Sequence, residues 1–159
     1  VVLIVTSGGH QPGPDNDPRS WLIVHWNGAS WDFHEVARCT HNYDMGSLYI
    51  EKVGPWRIIA PTEPGPQHWG TGGEMALWHS HDHGVTWEKV RQITENSPRN
   101  HAYARRPVNA HPDFYAFWAD GNPDEFSESH LYFTNQDGSH VWELPYTMTE
   151  DHEKPRLIR

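Results

Sequence analysis

Cysteine occurs once in the 159 residues, as Cys39, so no disulfide can form within the chain and its redox compartment stays open. Long apolar runs are missing too. The longest, Val1–Val5 (VVLIV), is far too short to span a bilayer. Basic residues are scarce, with 12 Lys and Arg against 21 Asp and Glu, which makes a nucleic-acid backbone a poor partner. A polyanion would be accepted only where the few arginines gather in one cleft. No stretch keeps a helical period for more than a few residues. There is no initiator Met and no secretory-signal pattern, and Val1 opens inside a strand-like run. The expectation is a segment of a larger protein.

What is present is aromatic: 9 Trp, 6 Tyr and 13 His. Short apolar runs such as WLIVHW, WRIIAP, EMALWHS and DFYAFWAD alternate with clusters of Gly, Pro, Asn and Asp, a pattern that predicts an all-β fold. Three of the predicted strands open on tryptophan, at Trp31, Trp87 and Trp142. Their separations are 87 − 31 = 56 and 142 − 87 = 55, and a glycine-containing hairpin turn precedes each. Self-similarity at this period predicts a β-propeller of four-stranded antiparallel blades. Residues 1–159 would form one partial propeller domain of about three blades, at roughly 1–37, 46–95 and 101–148. The remaining blades would come from missing sequence or from self-association.

The stretch Ser80–Trp87, SHDHGVTW, raises two readings. As a turn, Asp82 would accept backbone N–H bonds, Gly84 would allow a positive φ, and Trp87 would pack between blades. As a metal site, alternation puts His79, His81 and His83 on one side of the chain, without partners from elsewhere. The turn is the expectation, because Ser80, Asp82, Gly84, Thr86 and Trp87 resemble the Asp-box of sialidase-like BNR-repeat propellers. That resemblance implies a scaffolding turn remote from the active face.

Two polar, aromatic stretches follow the ends of predicted blades: Cys39–Glu51 (CTHNYDMGSLYIE) and Asn100–Gly121. Innermost strands of a propeller line its channel, so His41, Tyr43 and Asp44 would face His101, Tyr103, Arg105 and Arg106. Mutual stitching of the blades by hydrogen bonds is the alternative. HNYDMGSLYIE, WRIIAPTEPGPQHWGTGGEMALW and RRPVNAHPDFYAFWADG resemble the BNR-repeat polysaccharide lyases typified by ulvan lyases, which are seven-bladed. The likeness covers most of residues 36–148. It implies β-elimination on a uronic-acid polysaccharide, with no cofactor required, in a secreted or periplasmic setting.

Such chemistry needs a cation on the uronate carboxylate, a base for the adjacent proton and an acid for the leaving oxygen. The resemblance gives Tyr43 the acid/base role, Arg57 the neutralising role, and His41 that of second base or positioning group. His101, Tyr103, Arg105, Arg106, Trp69 and Trp118 are the expected substrate-binding residues. A sialidase-like hydrolase is a competing reading, with Arg57, Arg105 and Arg106 on a carboxylate. Adjacent Arg105 and Arg106 point to opposite faces of a strand, which weakens it. A carboxylate pair for hydrolysis would draw on Asp44 and Asp120. A non-catalytic carbohydrate-binding propeller would use Trp69, Tyr103 and Trp118. A structural zinc would draw on Cys39 and His41 with His68 or His101, though no CxxC or HxxxH spacing supports it; calcium is the other metal considered.

Overall fold

The computed structural model describes residues 1–11, 13–40 and 44–159. Among them the chain is all-β, with twelve strands, one 3-10 turn at Pro14–Asn16 and no α-helix. The strands form three separate sheets, and every pairing is antiparallel. The first sheet is β1 (Val2–Thr6), β2 (Arg19–Trp26) and β3 (Trp31–Cys39), in that order. The second is β4 (Ser47–Tyr49), β5 (Trp56–Glu63), β6 (Glu74–Ser80) and β7 (Glu88–Gln92). The third runs β8 (Asn100–Arg105), β9 (Ala116–Gly121), β10 (Leu131–Thr134), β11 (Val141–Glu143) and β12 (Arg156–Leu157). Four strands per sheet therefore holds only for the second: the first has three and the third has five.

The second sheet lies between the other two, and its sequence shows why. A strand buried on both faces reads as a continuous apolar run instead of an alternating one, and Ile58, Ile59 and Ala60 in β5 are all fully buried. Ile58 and Ala60 pack with Trp21, Ile23 and Val36 of the first sheet. Tyr49, Ile59, Met75 and Leu77 pack instead with Ala104, Tyr115, Trp118 and Tyr132 around the third. Each junction is thus one face of a sheet against one face of the next. No helix among the described residues is long and apolar enough to cross a membrane.

Three hairpins join β2 to β3, β6 to β7 and β10 to β11, and each is closed by an Asn or Asp side chain. Asn27 Oδ1 accepts the N–H groups of Ala29 and Ser30, both at 2.9 Å. Asp82 Oδ1 accepts from Val85 N at 3.1 Å and Thr86 N at 2.8 Å, while its Oδ2 accepts from the Thr86 hydroxyl at 2.6 Å. Asp137 Oδ1 accepts from Ser139 N at 3.1 Å and the Ser139 hydroxyl at 2.7 Å. These turn residues recur at 82 − 27 = 55 and 137 − 82 = 55. Gly84 sits at φ 91° with the Trp56 ring 2.9 Å from where a Cβ would lie, so both the backbone and the packing call for glycine there.

Candidate functional site

Polar chemistry concentrates where the second and third sheets meet. Gly73 and His101 exchange backbone hydrogen bonds of 2.9 and 2.8 Å, which brings the start of β6 against β8. Glu74, 6% exposed, accepts from the Thr94 hydroxyl at 2.6 Å, from Ser97 N at 2.8 Å and from the Ser97 hydroxyl at 2.8 Å. Ser97 Oγ lies 2.9 Å from His101 Nε2, and Trp118 Nε1 donates to His101 Nδ1 at 2.8 Å. An indole N–H can only donate, so Nδ1 is the bare nitrogen and Nε2–H donates to Ser97. His101 is therefore neutral, and burial holds its pKa down at about 4.

Asp120 is tied just as fully. It accepts from Arg99 Nε at 3.0 Å, His130 N at 2.6 Å and the Tyr132 hydroxyl at 3.1 Å. Every group in this network has its partner, which is how a buried polar cluster holds one geometry. Cavities of about 280 Å³ and 540 Å³ flank it, the first reaching Ser97 and His101, the second Glu63, Glu74 and Glu95.

The inner edge of the junction is different. The carboxylate of Asp44, just ahead of β4, is 6% exposed; Oδ2 accepts Tyr103 N–H at 2.7 Å, and Oδ1 has no hydrogen-bond partner among the described residues. Burial raises its pKa to about 6, against the opposing pull of the Tyr103 and Met45 backbone hydrogen bonds and the Arg105 charge. The ladder between β8 and β9 shifts register between Ala102 and Arg105, and Tyr103 within that bulge takes a left-handed φ of 59°. The bulge turns the Tyr103 ring outward, 51% exposed. The Arg105 guanidinium sits 6.0 Å from that ring and 3.5 Å from Met45 Sδ, with no ion pair among the described residues. A cleft of about 330 Å³ opens beside Tyr103, between Thr71, Ala102, Asn122 and Pro123. Tyr103 lines that cleft, and a buried carboxyl group with a raised pKa and the Arg105 guanidinium lie beside it, a grouping that suits proton transfer beside an anionic ligand.

The other expected residues are distributed unevenly. Tyr43 and His41 lie outside the described residues. Arg57 stands opposite Tyr49, at the far end of β4 from Asp44. Its Nη1 is 3.8 Å from Glu51 and 3.3 Å from Pro55 O, and its Nε has no hydrogen-bond partner among the described residues. Glu51 also accepts from the Tyr115 hydroxyl, so that carboxylate is held from two sides. The cross-strand neighbour His79 has its pKa lowered by burial and by the Arg57 charge. Arg105, the last residue of β8, and Arg106, just beyond it, contact different rings: Arg105 lies 6.0 Å from the Tyr103 ring and Arg106 5.0 Å from the Tyr49 ring.

Trp118 and His101 are buried, at 1% and 4% exposed, and of the two His101 reaches the cavity of about 280 Å³. Trp69 lies in the loop between β5 and β6, its ring edge-on to His68 at 4.2 Å. Cys39 is buried in the core between the first and second sheets. Among the described residues no three His, Cys, Asp or Glu side chains are arranged to hold a metal ion. Sequence reasoning placed Asp44 near Tyr103 and Arg105 but had no signal for its burial. Glu74 and Ser97 were missed altogether, because EMALW and NSP read only as a strand start and a turn.

No protein-family model matches the chain, and neither the curated proteins nor the solved structures contain a match to it.

Proposed function

We propose that the three sheets are blades of a BNR-type β-propeller, and that the protein is a secreted or periplasmic polysaccharide lyase cleaving a uronic-acid-containing polymer by β-elimination. The blade reading is supported by stacked antiparallel sheets whose Asn- or Asp-closed hairpins recur every 55 residues. The Ser80–Trp87 turn, with its Asp82 hydrogen bonds, is the scaffold element expected of an Asp-box.

The observation that carries the chemistry is the grouping of Asp44 and Arg105 around Tyr103, which lines the cleft of about 330 Å³, with Asp44 next to Tyr43 in the chain. Arg105 is the cation free to meet a uronate carboxylate, which would stabilise the enolate formed when the neighbouring proton leaves. Tyr43 is the acid/base group by family resemblance, and Asp44, with a pKa of about 6, is a second group able to hold that proton. Arg57 could neutralise substrate only by exchanging Glu51 for the uronate. No bound metal or cofactor is needed for these steps.

The test is growth of near-ultraviolet absorbance from the unsaturated product when the chain meets uronate polymers. Tyr43→Phe should lower the rate by about 10²–10⁴-fold with binding little changed. Arg105→Lys keeps the charge, loses the planar fork, and should also slow turnover. Neutral polymers should be left intact by every variant. Full activity in Tyr43→Phe sinks the assignment of that tyrosine. Binding of uronate polymers without any absorbance growth would make the protein a carbohydrate-binding propeller instead.

A further inference from the structure

The loop linking β9 to β10 rims the cleft beside Tyr103. Asn122 and Pro123 at one end of it and Ser129 at the other line that cleft of about 330 Å³. The base of the loop is held firmly. A side chain at Gly70 would overlap the Pro123 ring, so the loop between β5 and β6 seats on that proline with no room to spare. The Ser129 hydroxyl donates to Asp120 O. Within the loop, Asn122 braces the chain: its N–H donates to the Ser127 hydroxyl at 2.9 Å and its Nδ2 to Glu125 at 3.0 Å. Its Oδ1 accepts Asp124 N–H at 3.0 Å.

At the tip of this loop stands Phe126, fully exposed and the most exposed large apolar side chain among the described residues. It lies three positions from Pro123 and three from Ser129, so its Cα is within about 11 Å of either residue. The neighbouring units of a polymer seated in the cleft therefore pass the ring. The bracing by Asn122 fixes where that ring stands, so a ligand that stacks on it does not first have to order the loop.

We infer that Phe126 and Asp124 form a second sugar subsite beside the cleft, which holds an uncharged unit of the polymer whose uronate lies at Tyr103 and Arg105. The identity of that polymer rests on the proposed function. An aromatic face open to water can cover the apolar C–H face of a sugar ring. The hydroxyls around the edge of the ring need acceptors, and the exposed Asp124 carboxylate, two positions before Phe126, supplies one. The other acids of the loop are engaged, Glu125 by Asn122 and Glu128 at 3.6 Å from His130. A carboxylate accepts strongly from hydroxyls and repels a second carboxylate, which sets the charge of each unit. The uronate belongs beside Arg105, and a neutral sugar beside Asp124.

Calorimetric titration of the full chain tests this, with hyaluronan, which alternates uronate with a neutral sugar, and with polygalacturonate, which is charged at every unit. Hyaluronan should bind more tightly. Phe126→Ala should bind long hyaluronan chains about tenfold more weakly. Its affinity for the disaccharide should match that of the unaltered chain, because a disaccharide fills the cleft alone. Phe126→Trp should keep the long-chain affinity. Asp124→Asn keeps an acceptor and drops the charge, so it should narrow the gap between the two polymers. Both positions are exposed, so the thermal midpoint should be the same in every variant. An equal loss for long and short ligands in Phe126→Ala, or no loss, would overturn the subsite. Polygalacturonate bound as tightly as hyaluronan would overturn it too, and binding of neither polymer would sink both the subsite and the proposed function. Long-chain binding that depends on Phe126, without growth of near-ultraviolet absorbance, would uphold the subsite and sink the lyase reading. Cleavage of long chains by Phe126→Ala at undiminished affinity would do the reverse.

Discussion

Between the first and second sheets the packed groups are Trp21, Ile23, Val36, Ile58 and Ala60. Between the second and third, tyrosines 49, 115 and 132 share the space with His101, Glu74 and Asp120. The apolar junction is held by area, which is non-directional and tolerant of small shifts. The polar junction is held by donors and acceptors that must meet at hydrogen-bond distance, as along the run from Glu74 through Ser97 and His101 to Trp118. A slip of one residue there would strand several buried polar groups at once. The same burial moves His101 and Asp44 away from their ordinary pKa values in opposite directions. The two groups, His101 and Asp44, whose pKa values burial shifts in opposite directions therefore both belong to the second junction.

The sharpest way to break this contrast is Glu74→Ala. It leaves the Thr94 and Ser97 hydroxyls and the Ser97 N–H without their acceptor, and it should cost about 3–5 kcal/mol in chemical denaturation. A loss below that of a conservative truncation in the apolar junction would show that the network is not what holds the polar one.

The pH response is next in size. His101 has a folded-state pKa of about 4, below its ordinary value near 6.5, so the unfolded chain takes a proton that the folded chain refuses. That contribution is intact above about pH 6.5 and is lost as pH falls toward 4. Asp44, raised to about 6, works the other way: the folded chain gains a proton first, so stability rises as pH falls from about 6 toward 4. The two oppose each other over that window. Asp44→Asn removes only the second, so its stability should fall with acid more steeply than that of the unaltered chain, by up to about 1.4 kcal/mol per pH unit. Parallel curves from denaturation at several pH values would contradict the Asp44 assignment.

Asp82→Ala should cost about 1–2 kcal/mol, since it removes four acceptor contacts from an exposed turn. The thermal midpoint should fall while uronate binding by the folded fraction is unchanged. Ile58→Val, one methylene less in the apolar junction, should cost about 1 kcal/mol. Asn27→Ala should cost least, about 0.5–1 kcal/mol, because its Oδ1 accepts the N–H groups of Ala29 and Ser30 as a neutral amide, where Asp82 accepts as a carboxylate, and its Nδ2 makes only exposed contacts, to Ser30 and Asp32. A reversed order of Asp82 and Asn27 would mean that the charge of the accepting side chain does not set the strength of these turns.

Local pattern carried much of the fold. Runs of aromatic and β-branched residues separated by Gly, Pro and Asn encode strands and turns without reference to distant residues, so an all-β chain was legible from the sequence. The Ser80–Trp87 turn was legible for the same reason, because its acceptor and its donors are neighbours in the chain. The 55-residue recurrence of Asn27, Asp82 and Asp137 lies in the sequence too, one residue out of step with the 56-residue spacing of Trp31 and Trp87. Strand number per sheet was not legible: β12 pairs with β11 across a long connection whose sequence has little strand character.

Burial is where sequence reading ran out. Trp118, Tyr103 and Trp69 look alike as aromatics beside polar residues, yet Trp118 is sealed between sheets while a bulge in β8 turns Tyr103 outward. Arg57 and Arg105 are equally basic in sequence, but Arg57 lies 3.8 Å from Glu51 beside its own sheet, while Arg105 makes no ion pair among the described residues and rests beside Tyr103 and Met45. Residue type and spacing thus determined the strands, their turns and the stock of titratable groups. Only the packing of one sheet on another decided which groups were desolvated, paired or left free, because dielectric surroundings and partners come from residues far apart in the chain.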